Sequence, residues 1–525
     1  MSPGERELLQ AWLRRAPTRR EFLGLLGAAS GTILLGGCAA RRSDAVVPLA
    51  AYPFTLGVAS GDPTPDGVVL WTRLAPDPLN GGGMPPARVP VQWELASDDG
   101  FRRVVRRGDM LAVPELAHSV HVEVDGLEPD HVYWYRFLYD GVSSAVGRTR
   151  TAPGRDAAPD RLAFAFVSCQ NYQQGYYTAL RHLADEDVAF VVHLGDYIYE
   201  SILAERVRSH GDAEPLTLDE YRTRYALYRT DPDLQAVHAA LPFVVTWDDH
   251  EVDNNYAGAF DQAGSPMEVF LQRRAAAYQA YYEHMPLRRS AMPAGPDLRL
   301  YRRFAYGDLL ALNVLDTRQY RTDQVCGDGV RADCAARFDP AGTILGAPQE
   351  AWLLDGLCAS RARWNVLANQ VPFVPQMRVR DGVRVEDMDK WDGYAATRER
   401  VIAAIRGGCV SNPVIITGDV HVSWVADLPS DLDNPTSAPL ATEFVGTSIT
   451  SGGDGRDMDD NTRALRASTP HMKYFNALRG YVRCTVTPER WTSDYRLVPY
   501  VSRPGAPIAT DASFVVEAGR AGVQG

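Results

Sequence analysis

The chain has 525 residues, of which 45% are hydrophobic and 23% are charged, as is usual for a globular protein. This length allows two or three domains with sizeable hydrophobic cores. The formal net charge of −12 argues against nucleic acid as a partner, because phosphate backbones are bound by basic surfaces. We therefore expect an acidic globular protein that does not bind nucleic acid.

Residues 1–40 have the pattern of an export signal. The pair Arg19-Arg20 precedes an uncharged, Gly-rich stretch, residues 23–37, which resembles a twin-arginine signal. That stretch is too short for a membrane span, and no later segment offers about 18 continuous apolar residues. An ordinary amphipathic N-terminal helix is the alternative. We expect an exported protein that is periplasmic, secreted or attached to the cell surface.

The end of this signal allows two modes of processing. Residues 35–38 (Leu-Gly-Gly-Cys) resemble a lipobox, in which Cys38 would receive a lipid after cleavage. Conventional cleavage just after Ala40 is the alternative. Membrane attachment through a lipid on Cys38 is therefore an expectation that depends on which site is cleaved.

Residues 50–152 are predicted to form an all-β domain. Runs of β-branched and aromatic residues, such as 119–124 and 132–137, are separated by turn residues. The sequence Gly-Leu-Glu-Pro at 126–129 leads into the second run and resembles the corner of a fibronectin III or immunoglobulin-like sandwich. We expect a fibronectin III/Ig-like β-sandwich here.

From residue 160 to residue 510 the pattern is that of an α/β domain. Short, continuous apolar runs indicate strands that are buried on both faces. These predicted strands are 162–167, 188–194, 243–246, 309–315, 364–368 and 414–417. Helical patterns lie between them, at 176–186, 218–226, 233–240 and 266–284.

Four of the predicted strands are followed by residues of the types that bind metals. They are Cys169 after the first strand, Asp196 and Tyr199 after the second, Asp248, Asp249 and His250 after the third, and Asp419 and His421 after the last. Each cluster alone has an ordinary explanation, such as a turn, a helix cap or a buried thiol. Ligands in α/β sheets bind beyond the carboxyl ends of strands, so the four clusters together favour one shared site if the strands lie side by side.

The longer motifs resemble the PhoD-like phosphatase family of the metallophosphoesterases. Residues 195–199 (Gly-Asp-Tyr-Ile-Tyr) and 418–421 (Gly-Asp-Val-His) look like the metal motifs of calcineurin-like and purple acid phosphatases. Residues 247–256 are similar to the long signature of the PhoD-like family, and residues 54–63, 315–320 and 369–372 fit it too. The resemblance covers about residues 52–505. It implies an α/β metallophosphoesterase-type β-sandwich core flanked by helices.

This resemblance implies a dinuclear site that holds Fe(III) beside Ca(II). The iron ligands would be Cys169, Asp196, Tyr199 and His421, with Asp196 bridging, and the calcium ligands would be Asp249 and Asp419. Asp248 replaces Asp249 if the alignment is shifted by one, and Asn254 or Asn255 could add an oxygen. Thiolate, phenolate and imidazole ligands favour a transition metal, whereas carboxylates favour calcium.

The chain departs from the general metallophosphoesterase pattern at three of these positions. Cys169 replaces the usual first Asp, Asp249 replaces the Asn before the catalytic His, and Asp419 replaces a His. Cys169 is therefore the residue that most clearly separates this chain from a generic member of the superfamily.

The implied activity is that of an exported alkaline phosphatase or phosphodiesterase, a phosphoric ester hydrolase. Two metals would hold the ester phosphate and activate an oxygen nucleophile. His250 would protonate the leaving alkoxide or stabilise the phosphate, as the catalytic residue. Asn254 and Arg318 are candidate substrate-binding residues; a surface ion pair is the alternative for Arg318.

Two other functions remain open from the sequence. One is a phospholipase D-like phosphodiesterase that acts on lipids or cell-wall polymers, because the motifs position metals and phosphate without defining the alcohol. The other is a non-catalytic surface binding protein. The intact ligand set disfavours the second, since a binding module has no need of His250 or of a bridging Asp196.

The remaining cysteines suggest disulfides, which the export route allows. Cys326 and Cys334 flank a short loop and are a candidate pair, and Cys358 with Cys409 is a second one. Cys484 lies in a strand-like run and is predicted to be a buried thiol.

Overall fold

The structure, a computed structural model, describes residue 49, residues 51–380 and residues 382–524. The predicted export signal and Cys38 lie outside these residues. In chain order the strands are β1 Val58–Thr64, β2 Gly67–Arg73, β3 Val89–Ala96, β4 Val104–Ala112, β5 Ser119–Asp125, β6 Val132–Tyr139, β7 Val142–Ser143, β8 Gly147–Arg150, β9 Leu162–Val167, β10 Val191–His193, β11 Pro242–Val245, β12 Arg302–Tyr306, β13 Leu310–Val314, β14 Val330–Ala332, β15 Trp364–Ala368, β16 Val379–Arg380, β17 Val383–Asp387, β18 Pro413–Thr417, β19 Ser423–Pro429, β20 Pro439–Val445, β21 Met472–Asn476, β22 Arg479–Val486, β23 Arg490–Val498, β24 Ala509–Glu517 and β25 Arg520–Gln524. The α-helices are α1 Thr178–Ala184, α2 Leu218–Arg229, α3 Pro232–Ala240, α4 Met267–His284, α5 Gly346–Ala359, α6 Ala395–Arg406 and α7 Asp460–Ser468. Across these described residues, none of the helices has the length and apolar character that a bilayer span requires.

Two large sheets pack face to face. The first has ten strands in the order β25-β24-β23-β22-β9-β10-β11-β1-β2-β5, and the second has seven in the order β12-β13-β15-β18-β20-β19-β21. Phe166 and Val192 of the first sheet share one buried apolar layer with Leu312 and Ile416 of the second. The predicted β-sandwich core is thus confirmed.

Helices cover the outer faces of this sandwich. Side chains of α1 to α4, such as Leu180, Tyr225 and Tyr278, pack with strand residues of the first sheet. Leu353 of α5 and Val401 of α6 pack on the second sheet in the same way. Both faces of the central strands are therefore buried, which explains why their sequences are continuous apolar runs instead of alternating ones.

The N-terminal strands are shared between two layers. Strands β3, β4, β6, β7 and β8 form a small sheet of their own, whereas β1, β2 and β5 extend the ten-stranded sheet. β1 runs parallel to β11, with Ser60 opposite Pro242 and Gly61 opposite Phe243. The predicted all-β character of this region is confirmed, and its fibronectin-type character stays a prediction. One of its layers continues the sheet that carries the candidate site.

Both predicted disulfides are present. Cys326 bonds to Cys334 and Cys358 bonds to Cys409. Cys169 and Cys484 are free and buried, as expected for the latter. Of the described free cysteines, only Cys169 lies at the end of a strand whose loop enters the candidate site.

Candidate metal centre

Strands β9, β10 and β11 bring three of the predicted clusters to one edge. They are parallel neighbours, and His193 pairs with both Val167 and Val245. β18, which precedes the fourth cluster, lies in the facing sheet between β15 and β20. The four strands therefore do not all lie side by side in one sheet, which was the condition stated for convergence. The clusters still converge, because the two sheets place these strand ends at the same rim of the sandwich.

The first group of converging side chains contains Cys169, Asp196 and His421. Their ligand atoms all lie within 4.8 Å of one another. Tyr199 completes this group, since its Oη donates to Asp196 Oδ2 at 2.8 Å and lies 3.1 Å from His421 Nε2. Ser451 Oγ donates to the same Tyr199 Oη at 2.7 Å and fixes the phenol from the other side. The four residues predicted for the iron side thus lie together.

The second group shares Asp196 with the first. Ligand atoms of Asp196, Asp249 and His250 also lie within 4.8 Å of one another. Asp419 lies nearby. Burial raises the pKa of Asp419, and the negative charge of Asp249 raises it further. Asp248 is turned to Arg318, whose Nε donates to its Oδ1 at 2.5 Å. Asp249 likewise has one oxygen bonded, to the backbone N–H of Asn255. Among the described residues, Asp249 and not Asp248 belongs to a group of converging ligand atoms with Asp196, which favours Asp249 as the ligand.

Four of these residues have left-handed backbone conformations. The φ angles are +59° at Cys169, +57° at Asp196, +68° at Asp419 and +56° at His421. Each such conformation costs a non-glycine residue about 1–3 kcal/mol and persists only where the surrounding structure enforces it. Concentrated strain at residues with ligand chemistry marks a functional site.

The donor atoms fit a dinuclear metal centre. Asp196 Oδ1, Asp248 Oδ2 and Asp249 Oδ1 are buried without a hydrogen-bond partner among the described residues. Burial raises the pKa of Asp196 and of Cys169 well above the usual values, and neighbouring carboxylates contribute. Buried anions and orphaned oxygens are costly unless cations pair with them. A sulfur, a phenol and an imidazole on one side and carboxylates on the other suit two different ions.

His250 is held by a carboxylate that was not singled out from the sequence. Its Nδ1 lies 2.7 Å from Glu200 Oε2, and its ring stacks on Tyr199 with centroids 4.1 Å apart. Burial alone would lower the pKa of His250, but the nearby carboxylates, Glu200 first among them, raise it well above its usual value. The position of Glu200 at the end of the Gly-Asp-Tyr-Ile-Tyr motif was the available signal.

Glu251 joins two of the loops that carry the site. Its carboxylate accepts hydrogen bonds from the backbone N–H groups of Asp196, Tyr197 and Asp248. Glu251 is 1% exposed, so it lies beneath the candidate ligands and holds their loops together. Sequence reasoning assigned no role to Glu251, although it stands within the Asp-Asp-His-Glu motif.

Arg318 lies in a buried ion-pair network instead of at the surface. Its side chain is 0% exposed, and its Nη1 and Nη2 donate to Asp389 at 2.7 and 3.0 Å. Arg321 Nη1 donates to the same Asp389 at 2.8 Å. The Nε of Arg318 donates to Asp248, so the guanidinium is surrounded by carboxylates. Arg318 therefore holds Asp248 in place.

The two neighbouring asparagines have different surroundings. Asn254 donates its backbone N–H to Glu200 Oε1 at 3.0 Å, and its side-chain amide donates to Gln262. Asn255 donates its backbone N–H to Asp249 Oδ2 at 2.7 Å and its side-chain amide to Asp328. Asn255 is therefore in direct contact with a candidate ligand, whereas the backbone of Asn254 contacts the partner of His250.

The fold is a two-sheet sandwich whose rim carries side chains that could hold metal ions, and comparison with known proteins identifies its family. Residues 164–495 match the family model of PhoD-like phosphatases, and residues 38–153 match that of their N-terminal domain. Alkaline phosphatase D of Bacillus subtilis (strain 168) is 52% identical over 516 residues, which cover 96% of this chain and 88% of that protein.

Solved structures agree with this assignment. The structure of PhoD matches with a TM-score of 0.89 and 53% identity, over 91% of this chain and 93% of that one. The purple acid phosphatase PPD1 of yellow lupin (Lupinus luteus) shares the fold, with a TM-score of 0.54 and 12% identity over 88% of this chain and 74% of its own. The chain belongs to the PhoD-like phosphatase family and is a phosphoric ester hydrolase. A non-catalytic surface protein is thereby set aside.

We predict that Gly195→Ala disrupts this site. Gly195 has φ +116°, and a Cβ there would lie 2.4 Å from the backbone nitrogen of Asp248. The two ligand-bearing loops must then move apart, and displacement by about 1 Å can lower activity about 100-fold. Gly505→Ala is the matched control, because Gly505 has φ +81° with open space around it. Equal phosphoesterase activity in the two variants would contradict the predicted loop contact.

Proposed function

We propose that the chain is an exported hydrolase of phosphate esters that works with a dinuclear centre of Fe(III) and Ca(II). The observation that carries this proposal is the membership of Asp196 in both groups of converging side chains. A shared carboxylate is how two cations are held side by side at one substrate. The resemblance to the family and the donor chemistry both support this pair of ions.

We assign the two halves of the centre by ligand type. Cys169, Tyr199 and His421 would hold the iron with Asp196, because soft sulfur, phenol and imidazole ligands suit a transition metal. Asp249 and Asp419 would hold the calcium with the same Asp196. Asp248 would support the calcium side, since Arg318 already engages one of its oxygens at 2.5 Å.

When bound, the two ions would supply Lewis acidity toward the phosphate and a nucleophile at neutral pH. The chain's own part in the reaction falls chiefly to His250. A charged imidazole carries N–H on both nitrogens, and Nδ1–H donates to Glu200. Nε2 is then the atom that gives its proton to the leaving oxygen. Stacking on Tyr199 keeps the ring in this orientation.

We propose export through the twin-arginine signal, with a periplasmic, secreted or lipid-anchored destination. A route that carries folded proteins suits an enzyme whose metal binding is coupled to folding. Attachment to the membrane would take place through Cys38 if the lipobox is used.

A substrate panel tests which class of phosphate ester the protein hydrolyses. The similar protein of Bacillus subtilis is an alkaline phosphatase, which favours small phosphate monoesters or diesters as substrates of this chain. We expect the metal-loaded protein to release alcohol from a small monoester and a small diester. Hydrolysis of a phospholipid alone, with neither small ester cleaved, would favour the phospholipase D-like alternative. No hydrolysis of any of the three would contradict the proposed activity.

We predict that Cys169→Ser removes the iron and the visible absorption that thiolate and phenolate ligands give it. Serine is too weak a ligand to replace a thiolate at this site. Cys484→Ser is the matched control, because Cys484 is also a free, buried cysteine but lies on β22. Metal analysis and the visible spectrum are the readouts. If Cys169→Ser kept full iron content, the assignment of the iron site would be wrong.

A further inference from the structure

Lys390 places an ammonium group at the candidate site that the sequence analysis did not consider. Its Nζ forms an ion pair with Asp419 Oδ2 and lies 3.5 Å from Asp389 Oδ2. The sequence contains two lysines, Lys390 and Lys473, among 54 basic residues. One of these two lysines therefore stands directly beside a proposed metal ligand in a chain that uses arginine almost everywhere else.

Asp389 does not need Lys390 as a counter-charge. Arg318 donates two hydrogen bonds to its carboxylate, and Arg321 and Gln324 donate one each. Two guanidinium groups already neutralise this buried carboxylate. The partner that depends on Lys390 is consequently Asp419.

Asp419 is also the residue that we assign to the calcium ion. A divalent cation bound there would neutralise Asp419 and weaken its attraction for the ammonium group. Lys390 would then keep a positive charge at the rim of the site without an obligatory partner. Phosphate oxygens are the anionic groups that the substrate brings to this place.

Accessibility separates Lys390 from the other cations at the site. Its side chain is 16% exposed, whereas those of Arg318 and Arg321 are 0% exposed and bonded to carboxylates and backbone oxygens. Arg479 is also buried, with Nη1 bonded to the carbonyl oxygens of His421 and Ser451. Of the lysine and arginine side chains described around this site, Lys390 is thus the one that can reach a ligand from solvent.

The backbone on which Lys390 stands is firmly fixed. The 3-10 turn Trp391–Tyr394 follows it directly, and all four residues of that turn are buried. Trp391 Nε1 donates to Asn369 Oδ1 at 2.8 Å. A rigid base with a flexible four-carbon stem lets the ammonium move between two nearby anions while its origin stays in place.

We propose that Lys390 is a substrate-binding residue that pairs with a non-reacting oxygen of the phosphate group. A lysine ammonium is a compact charge with three rotatable donors, which suits a phosphate whose orientation is set mainly by other groups. This inference rests on the proposed function, because it needs Asp419 to bind a cation and the substrate to be a phosphate ester.

Lys390→Met tests the inference, and Lys473→Met is the matched control. Lys473 is 44% exposed and lies on β21, where its Nζ is 3.9 Å from Asp427. In metal-loaded Lys390→Met we expect KM and the inhibition constant of inorganic phosphate to rise about 10- to 100-fold, the value of one charge-assisted hydrogen bond. We expect kcat to change much less, because the contact is made equally in the ground and transition states. Lys390→Arg keeps the charge and should recover most of the phosphate affinity.

Calorimetric binding of inorganic phosphate and metal content are measured on every variant. Equal phosphate affinity in Lys390→Met and Lys473→Met would overturn the inference. A loss of metal in Lys390→Met would overturn it too, because Lys390 would then act only through Asp419. Failure of the proposed function is distinguishable, because the unaltered protein would itself neither bind phosphate nor hydrolyse esters.

Discussion

The structure depends on keeping several buried anionic groups close together at one rim of a β-sandwich. Asp196 is the centre of this arrangement, since it belongs to both groups of converging ligand atoms. Oxygens of Asp196, Asp248 and Asp249 are buried without hydrogen-bond partners in the described chain. Like charges at this distance repel strongly in a medium of low dielectric constant. A site of this kind is stable in its ionised form only with cations nearby, which is why we propose that metal ions bind here.

The rest of the site resists the tendency of these groups to separate. Left-handed backbone at Cys169 and Asp419 turns their loops toward the rim. Glu251 ties together the loops after β10 and β11 through three backbone N–H groups. Arg318 is buried against Asp248 and Asp389 and counters the negative charge from below. These elements hold the candidate ligands in fixed positions, which is the preorganisation that the proposed metal centre would require.

The sequence predicted six buried strands of the α/β region and the site-forming loops after four of them, because buried parallel strands have a strong local pattern and end in polar residues. Both candidate disulfide pairs were also confirmed. It did not predict that β18 belongs to a second sheet, since apolar runs carry no information about which sheet a strand joins. It also left Glu200, Glu251 and Lys390 without roles, because their partners are far apart in the chain. Arg318 was expected at a substrate or at the surface, and only the folded arrangement shows that Asp248, Asp249 and Asp389 lie around it.

We propose that one carboxylate, Asp196, is shared by two different ions. Metal analysis of purified Asp196→Asn tests it most directly, because asparagine tolerates the left-handed backbone at this position but cannot bridge as an anion. We expect the occupancy of both metals to fall together in Asp196→Asn, and Asp249→Asn to lower only the calcium. Full occupancy of either metal in Asp196→Asn would contradict a shared ligand.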